Sequence, residues 1–223
     1  MPEHHLPADI ERSSLAIIRR ELDALGLKVE TENEAVVLRV IHATADFDYA
    51  RNLRFTLDAV MRGVAALRRG CPVVTDTKMA QAGLSKPSLE RLGAEAHCFM
   101  AEPFIRDAAQ ERGTTRAAAS MDYAAGRYPD AVYAVGNAPT ALLTLADKLE
   151  EGLRPSLVIA APVGFVNVVE SKERIFAVCE RLGVPAIAAM GRKGGSSVAA
   201  AIGNALLYAA AELLDPSARG WQG

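Results

Sequence analysis

The chain has 223 residues and a mass of 23.7 kDa, with 50% hydrophobic and 23% charged residues, which describes a folded protein with a sizeable core and excludes intrinsic disorder. A formal charge of −2 excludes a nonspecific coat on nucleic acid or on an anionic membrane, so an acidic ligand has to be met by a local cluster of Lys and Arg. Aromatics at 5% exclude a base-stacking platform for single strands.

In chain order, Leu15, Ile18, Leu22 and Leu25 recur at three- and four-residue steps and predict a helix over about 9–25, stopped by Gly26. The run 35–42 is rich in β-branched residues. Thr31-Glu32-Asn33-Glu34 before it fits a capping box, so it reads as a helix with His42 in its last turn. A polar loop over 44–54 and a helix over about 56–69, stopped by Gly70, follow. Short apolar strands then alternate with helices: 71–74, 96–99, 131–135, 157–160 and 185–188. The closing helix puts Val198, Ala201, Ile202, Ala205 and Leu206 on one face, and the tail over 216–223 reads as frayed. This alternation predicts a single three-layer α/β/α domain over 1–223, with a mainly parallel sheet of about five strands. Ligands of such sheets bind beyond the carboxyl ends of the strands.

Cys71, Cys98 and Cys179 are odd in number, widely spaced and without a C-x-x-C pair, which speaks against disulfides or structural zinc and for a reducing cytoplasm. Cys71 precedes a proline and reads as packed rather than reactive. The first five residues lack a signal pattern, and no apolar run approaches the roughly 18 residues of a membrane span. The expectation is a soluble cytoplasmic protein.

The chemistry-bearing residues sit in the loops after the strands. Gly191-Arg192-Lys193-Gly194-Gly195-Ser196 combines close-approach glycines, two cations and a residue able to cap the next helix. It reads either as a carboxylate or phosphate grip or as a solvated turn. It is neither a Walker A loop nor a dinucleotide fingerprint. Gly136-Asn137-Ala138-Pro139-Thr140 repeats the logic, Pro139 starting a helix and Asn137 offering an amide, or serves only as a turn and cap. Ala161-Pro162-Val163-Gly164-Phe165-Val166 keeps apolar residues at a strand end, as an apolar ligand, a subunit contact or a buried loop requires. His4 and His5 lie in a terminal segment and His97 in an apolar strand, which leaves His42 for proton chemistry. At a helix C-terminus near Asp46 and Asp48 it would be favoured as a cation, suited to donate a proton, or it merely caps carbonyls. A metal site at His42, Asp46 and Asp48 lacks a second His or Cys at ligand spacing.

Taken together, the ordered stretches Arg12-Ser13-Ser14-Leu15-Ala16-Ile17-Ile18, Arg39-Val40-Ile41-His42-Ala43, Gly136-Asn137-Ala138-Pro139-Thr140-Ala141-Leu142, Pro162-Val163-Gly164-Phe165-Val166, Glu170-Ser171-Lys172 and Gly191-Arg192-Lys193-Gly194-Gly195-Ser196 resemble the precorrin-8X methylmutase family of cobalamin biosynthesis. The last stretch is more similar to the cobalt-precorrin-8 branch. The resemblance implies an isomerase that moves a methyl group from C11 to C12 of a tetrapyrrole, formally a [1,5]-sigmatropic shift, to give hydrogenobyrinate or cobyrinate, with no cofactor and no protein metal. It implies His42 as the catalytic acid or donor, Ser14 as a substrate contact, and Arg116 as an arginine near the migrating methyl. Leu15 stands where the family commonly has Phe after that serine. Asn137, Thr140, Gly164, Phe165, Arg192, Lys193, Gly194 and Ser196, and also Lys78 and Ser85, are implied as macrocycle or carboxylate contacts. A homodimer with sites near its interface is implied as well. The competing readings are a noncatalytic carrier of an anionic tetrapyrrole and an unrelated α/β enzyme acting on a phosphorylated metabolite.

Overall fold

Four strands of four or fewer apolar residues, each too short to stand alone, line up at the centre of a six-stranded sheet in a computed structural model that describes residues 6–219. Residues 1–5 and 220–223, with His4, His5 and the end of the tail, lie outside the described residues. In chain order the elements are α1 (Pro7–Ala24), α2 (Glu34–Thr44), α3 (Tyr49–Asn52), β1 (Leu53–Phe55), α4 (Ala59–Arg68), β2 (Val73–Thr75), α5 (Lys78–Gly83), α6 (Lys86–Leu92), β3 (Ala96–His97), α7 (Pro103–Glu111), α8 (Arg116–Arg127), β4 (Val132–Val135), α9 (Pro139–Glu150), β5 (Leu157–Ala160), α10 (Val168–Leu182), β6 (Ala186–Ala189) and α11 (Ser196–Ala210), with a 3₁₀ turn over Pro216–Arg219. The strand order is β1-β6-β5-β4-β2-β3, with β1 antiparallel and every other pairing parallel.

Both faces of the sheet are buried, which is why these strands are continuously apolar. Val132, Ala134, Leu157, Ile159, Ile187 and Ala189 pack under α1, α2, α4 and α11. The alternate residues Tyr133, Val135, Val158, Ala160, Ala186 and Ala188 pack under α8, α9 and α10. The period of two along each strand divides one run of residues between two cores. α11 is buried on nearly every side, so its alanines let α2, α4 and α5 approach closely.

The layered parallel fold agrees with the sequence reading, and four details correct it. The sheet has six strands, because Leu53–Phe55, whose first two residues read as the end of the polar loop, pairs with β6. The helix expected over 56–69 accordingly begins at Ala59. α2 forms as expected, but Asn33 is its N-cap and no side chain caps it; Glu34 instead binds Arg19. The tail is not frayed over 216–219. The Arg219 guanidinium donates to both oxygens of Glu11 and lies 3.8 Å from the Tyr208 ring centroid.

Candidate active site

The chain runs from β2 outward to β3, returns to the far side of β2 as β4, and continues through β5 to β6. The strand order therefore reverses between β2 and β4, and their carboxyl ends open the crevice where such sheets take ligands. Asp76 follows β2 there, fully buried. Its Oδ1 accepts the Gly136 N–H and its Oδ2 accepts the Asn137 and Ala138 N–H groups, all at 2.8 Å. Burial pushes the Asp76 carboxyl above its ordinary range, against the pull of the three amides. These bonds fix the loop ahead of α9 and leave the Asn137 side chain exposed. The sequence reading passed over Asp76; its only signal was an acidic residue at the end of a buried strand.

The glycine loops meet at the same place. A Cβ on Gly136 would stand 2.7 Å from the Ser196 Cα, and one on Gly194 would overlap the Ala161 and Pro162 carbonyl oxygens. Gly164 N–H donates to Arg192 O at 3.2 Å and Gly195 N–H to Ala161 O at 2.8 Å, so the loops after β4, β5 and β6 form one mouth. Ser196 does not cap α11; Gly195 is the N-cap, and the Ser196 hydroxyl is 2.7 Å from that of Thr77. Gly194→Ala is expected to lower stability by about 1–3 kcal/mol, because the obstructing atoms are backbone and cannot rotate away. Gly126→Ala, in α8 with open space around it, should be neutral or stabilising. Urea midpoints of the two variants check this.

His42 occupies the last turn of α2, and its Nδ1 lies 2.9 Å from Ser14 Oγ on α1. One turn back, Arg39 donates to Glu11, which Arg219 also holds. Burial raises the Glu11 carboxyl, but the two guanidiniums outweigh it and hold it low. The surroundings of His42 work against the cationic form expected from the sequence. Partial desolvation, reinforced by Arg39, lowers the His42 pKa from its ordinary 6.5. Asp46 and Asp48 do not support the imidazolium, since both bind Lys193 Nζ at 2.6 Å. They hold that ammonium above its ordinary range. Lys193 is therefore no free cation for the mouth; it ties the loop after β6 to the segment that follows His42.

Arg116 opens α8 at the exposed edge of the mouth and forms no ion pair among the described residues. Thr115 before it caps α8 and shares a 2.8 Å hydrogen bond with Thr140 in the first turn of α9. Arg192 lies 5.6 Å from the centroid of Phe165, and Val163, Phe165 and Val166 are all exposed. Two assigned residues stand apart. Ser85 caps α6, bonding Ser88. Lys78 lines a cavity of about 530 Å³ with Gln81, Lys86 and Glu90. A further cavity of about 650 Å³ runs between β1 and α10 and contains none of the assigned residues. Cys71, Cys98 and Cys179 are buried free thiols, and burial pushes Cys179 up to about 12. Among the described residues no helix is long and apolar enough to cross a membrane.

A family model for precorrin-8X methylmutase matches residues 9–209. The chain belongs to the precorrin-8X methylmutase family. It is similar to the cobalt-precorrin-8 methylmutase of Salmonella typhimurium, 44% identical over 91% of this chain and 95% of the relative. It is also similar to the precorrin-8X methylmutase of Pseudomonas aeruginosa, 38% identical over 88% and 93%. The solved precorrin-8X methyl mutase of Thermus thermophilus superposes with a TM-score of 0.81 at 38% identity, covering 91% of this chain and 98% of that one. Against that family background, the loops at 136–140, 161–166 and 191–196, with Arg116 at the edge beside Thr140 and the His42–Ser14 pair linked to them through Asp46, Asp48 and Lys193, form the candidate catalytic centre.

Proposed function

We propose that the chain is an isomerase of cobalamin biosynthesis that moves a methyl group from C11 to C12 of precorrin-8X or cobalt-precorrin-8. The bond from the methyl carbon to C11 breaks as the bond to C12 forms, and the conjugated electrons of the ring reorganise, so nothing is consumed. The observation that carries the reading is the His42–Ser14 pair, tied through Asp46, Asp48 and Lys193 to a mouth of glycine loops at the sheet's switch point. A large ring bordered by carboxylates needs one geometry held and one donor aimed at it.

In this reading the Ser14 hydroxyl donates to Nδ1 of a neutral His42, which leaves Nε2–H to donate to the ring as charge shifts. The free guanidinium of Arg116 and the Asn137 amide meet carboxylates, and Phe165 with Arg192 over its ring covers the apolar body. Incubating the protein with cobalt-bearing and metal-free precorrin-8 and following the visible spectrum tests the assignment. Conversion of neither refutes it. Binding without conversion would favour the carrier reading.

The assembly belongs to the same proposal. Val163, Phe165 and Val166 are 46%, 84% and 76% exposed beside the mouth, apolar surface that a second copy would cover. The wild type is expected to sediment at twice 23.7 kDa at micromolar concentration, and Val166→Asp at 23.7 kDa. A monomeric wild type would contradict the dimer. The buried free thiols suit a reducing compartment such as the cytoplasm.

A further inference from the structure

Lys172 on α10 has no part in the contacts described above, yet it is fully buried. Its Nζ donates to the carbonyl oxygens of Gly191 and Lys193, each at 2.8 Å, and no carboxylate pairs with it among the described residues. Burial alone pushes the ammonium down to about 8. A buried cation without a counter-charge is costly, and here both of its bonds go to one short loop.

The two carbonyls flank Arg192. In a trans peptide the carbonyl and the next N–H point in opposite directions, and no cis bond occurs among the described residues. Drawing the 191 and 193 oxygens inward to Nζ therefore turns the Arg192 and Gly194 N–H groups outward. Neither donates to any described residue, whereas Gly195 N–H is used by Ala161 O. Two amides without a protein acceptor among the described residues, beside the Arg192 guanidinium, are donors of the kind that takes an anionic oxygen.

We infer that Lys172 is a positioning residue: from beneath, it holds the Gly191–Gly195 loop so that the Arg192 and Gly194 amides grip one carboxylate of the substrate. The ligand half of this inference rests on the proposed corrinoid reaction; the clamp itself does not.

The test compares wild type, Lys172→Met and Lys172→Gln, the last keeping one donor. Three measurements are made: amide exchange at Gly164 and Gly195, corrinoid KM, and single-turnover rate at saturation. Lys172→Met should speed exchange at those two amides selectively and raise KM about 10–100-fold, the loss of one charge-assisted carboxylate contact. The saturated rate should stay within about three-fold, because the reacting ring is gripped elsewhere. Lys172→Gln should fall between, and it supplies the comparison if Lys172→Met does not fold. A folded variant with unchanged exchange at Gly164 and Gly195 and unchanged KM overturns the inference. So does a uniform rise in exchange with normal KM, the mark of a merely structural lysine. If the wild type binds no corrinoid, the proposed function fails, and the exchange data still judge the clamp.

Discussion

His42→Ala is expected to slow single-turnover methyl migration by roughly 10²–10⁴-fold, the usual range for removing a proton donor or strong hydrogen-bond donor. Product affinity should change far less, since the other assigned contacts lie on different loops. The pH profile separates two forms of the mechanism. Desolvation and Arg39 lower the His42 pKa from its ordinary 6.5, which favours the neutral imidazole in the free enzyme. A cationic acid would then make kcat/KM fall as pH rises through that lowered value, with little activity left at neutral pH. A neutral donor gives the reverse: activity holds at neutral pH and falls on acidification as the ring becomes charged. The second is expected, and Ser14→Ala should lower the rate about ten-fold by freeing the tautomer, roughly the net worth of one hydrogen bond. The stability linkage has the same sign. With the folded pKa below the unfolded one, the unfolded chain binds more protons near pH 6, and the contribution of His42 is lost as pH falls through that window. A folded His42→Ala enzyme with normal rate would end the mechanism.

Asp76→Ala should cost about 3–5 kcal/mol and lower Tm by roughly 6–20 °C, among the largest effects available to one substitution. The burial that pushes the carboxyl up is offset in the native protein by three amides at 2.8 Å. Truncation leaves those three N–H groups without their acceptor at a fully buried position. Asp76→Asn keeps the shape but can offer its single oxygen to only one side, and its NH₂ then faces another donor, so it should recover only part of the loss. Because Gly136 rests against Ser196, the damage should spread to the start of α11, and activity should fall in the protein that remains folded. Calorimetry with a parallel rate measurement checks both; wild-type Tm for Asp76→Ala would mean that the amides find other partners.

The periodicities of 3.6 and 2, the short apolar strands and the glycine punctuation were legible in the sequence, because each reports a backbone preference set within a few neighbouring residues. They located the layers, the loops at 136–140, 161–166 and 191–196, and the turn of helix that carries His42. Tertiary structure alone decided the rest. Leu53–Phe55 becomes a strand only because β6, more than 130 residues later, supplies its hydrogen bonds. Lys193 looked like a free cation, and its two carboxylates lie 147 and 145 residues away in sequence. The downward pull on the His42 pKa comes first from burial and then from Arg39, with Glu11 and Arg219 from α1 and the tail acting in opposite senses, and not from its near neighbours Asp46 and Asp48. Asp76 showed only as an acidic residue at the end of a buried strand and Lys172 only within the stretch Glu170-Ser171-Lys172, since their partners are backbone groups about 60 and 20 residues away. A sequence names the titratable groups, but their charge and the groups they hold depend on burial and on distances that exist only once the chain has folded.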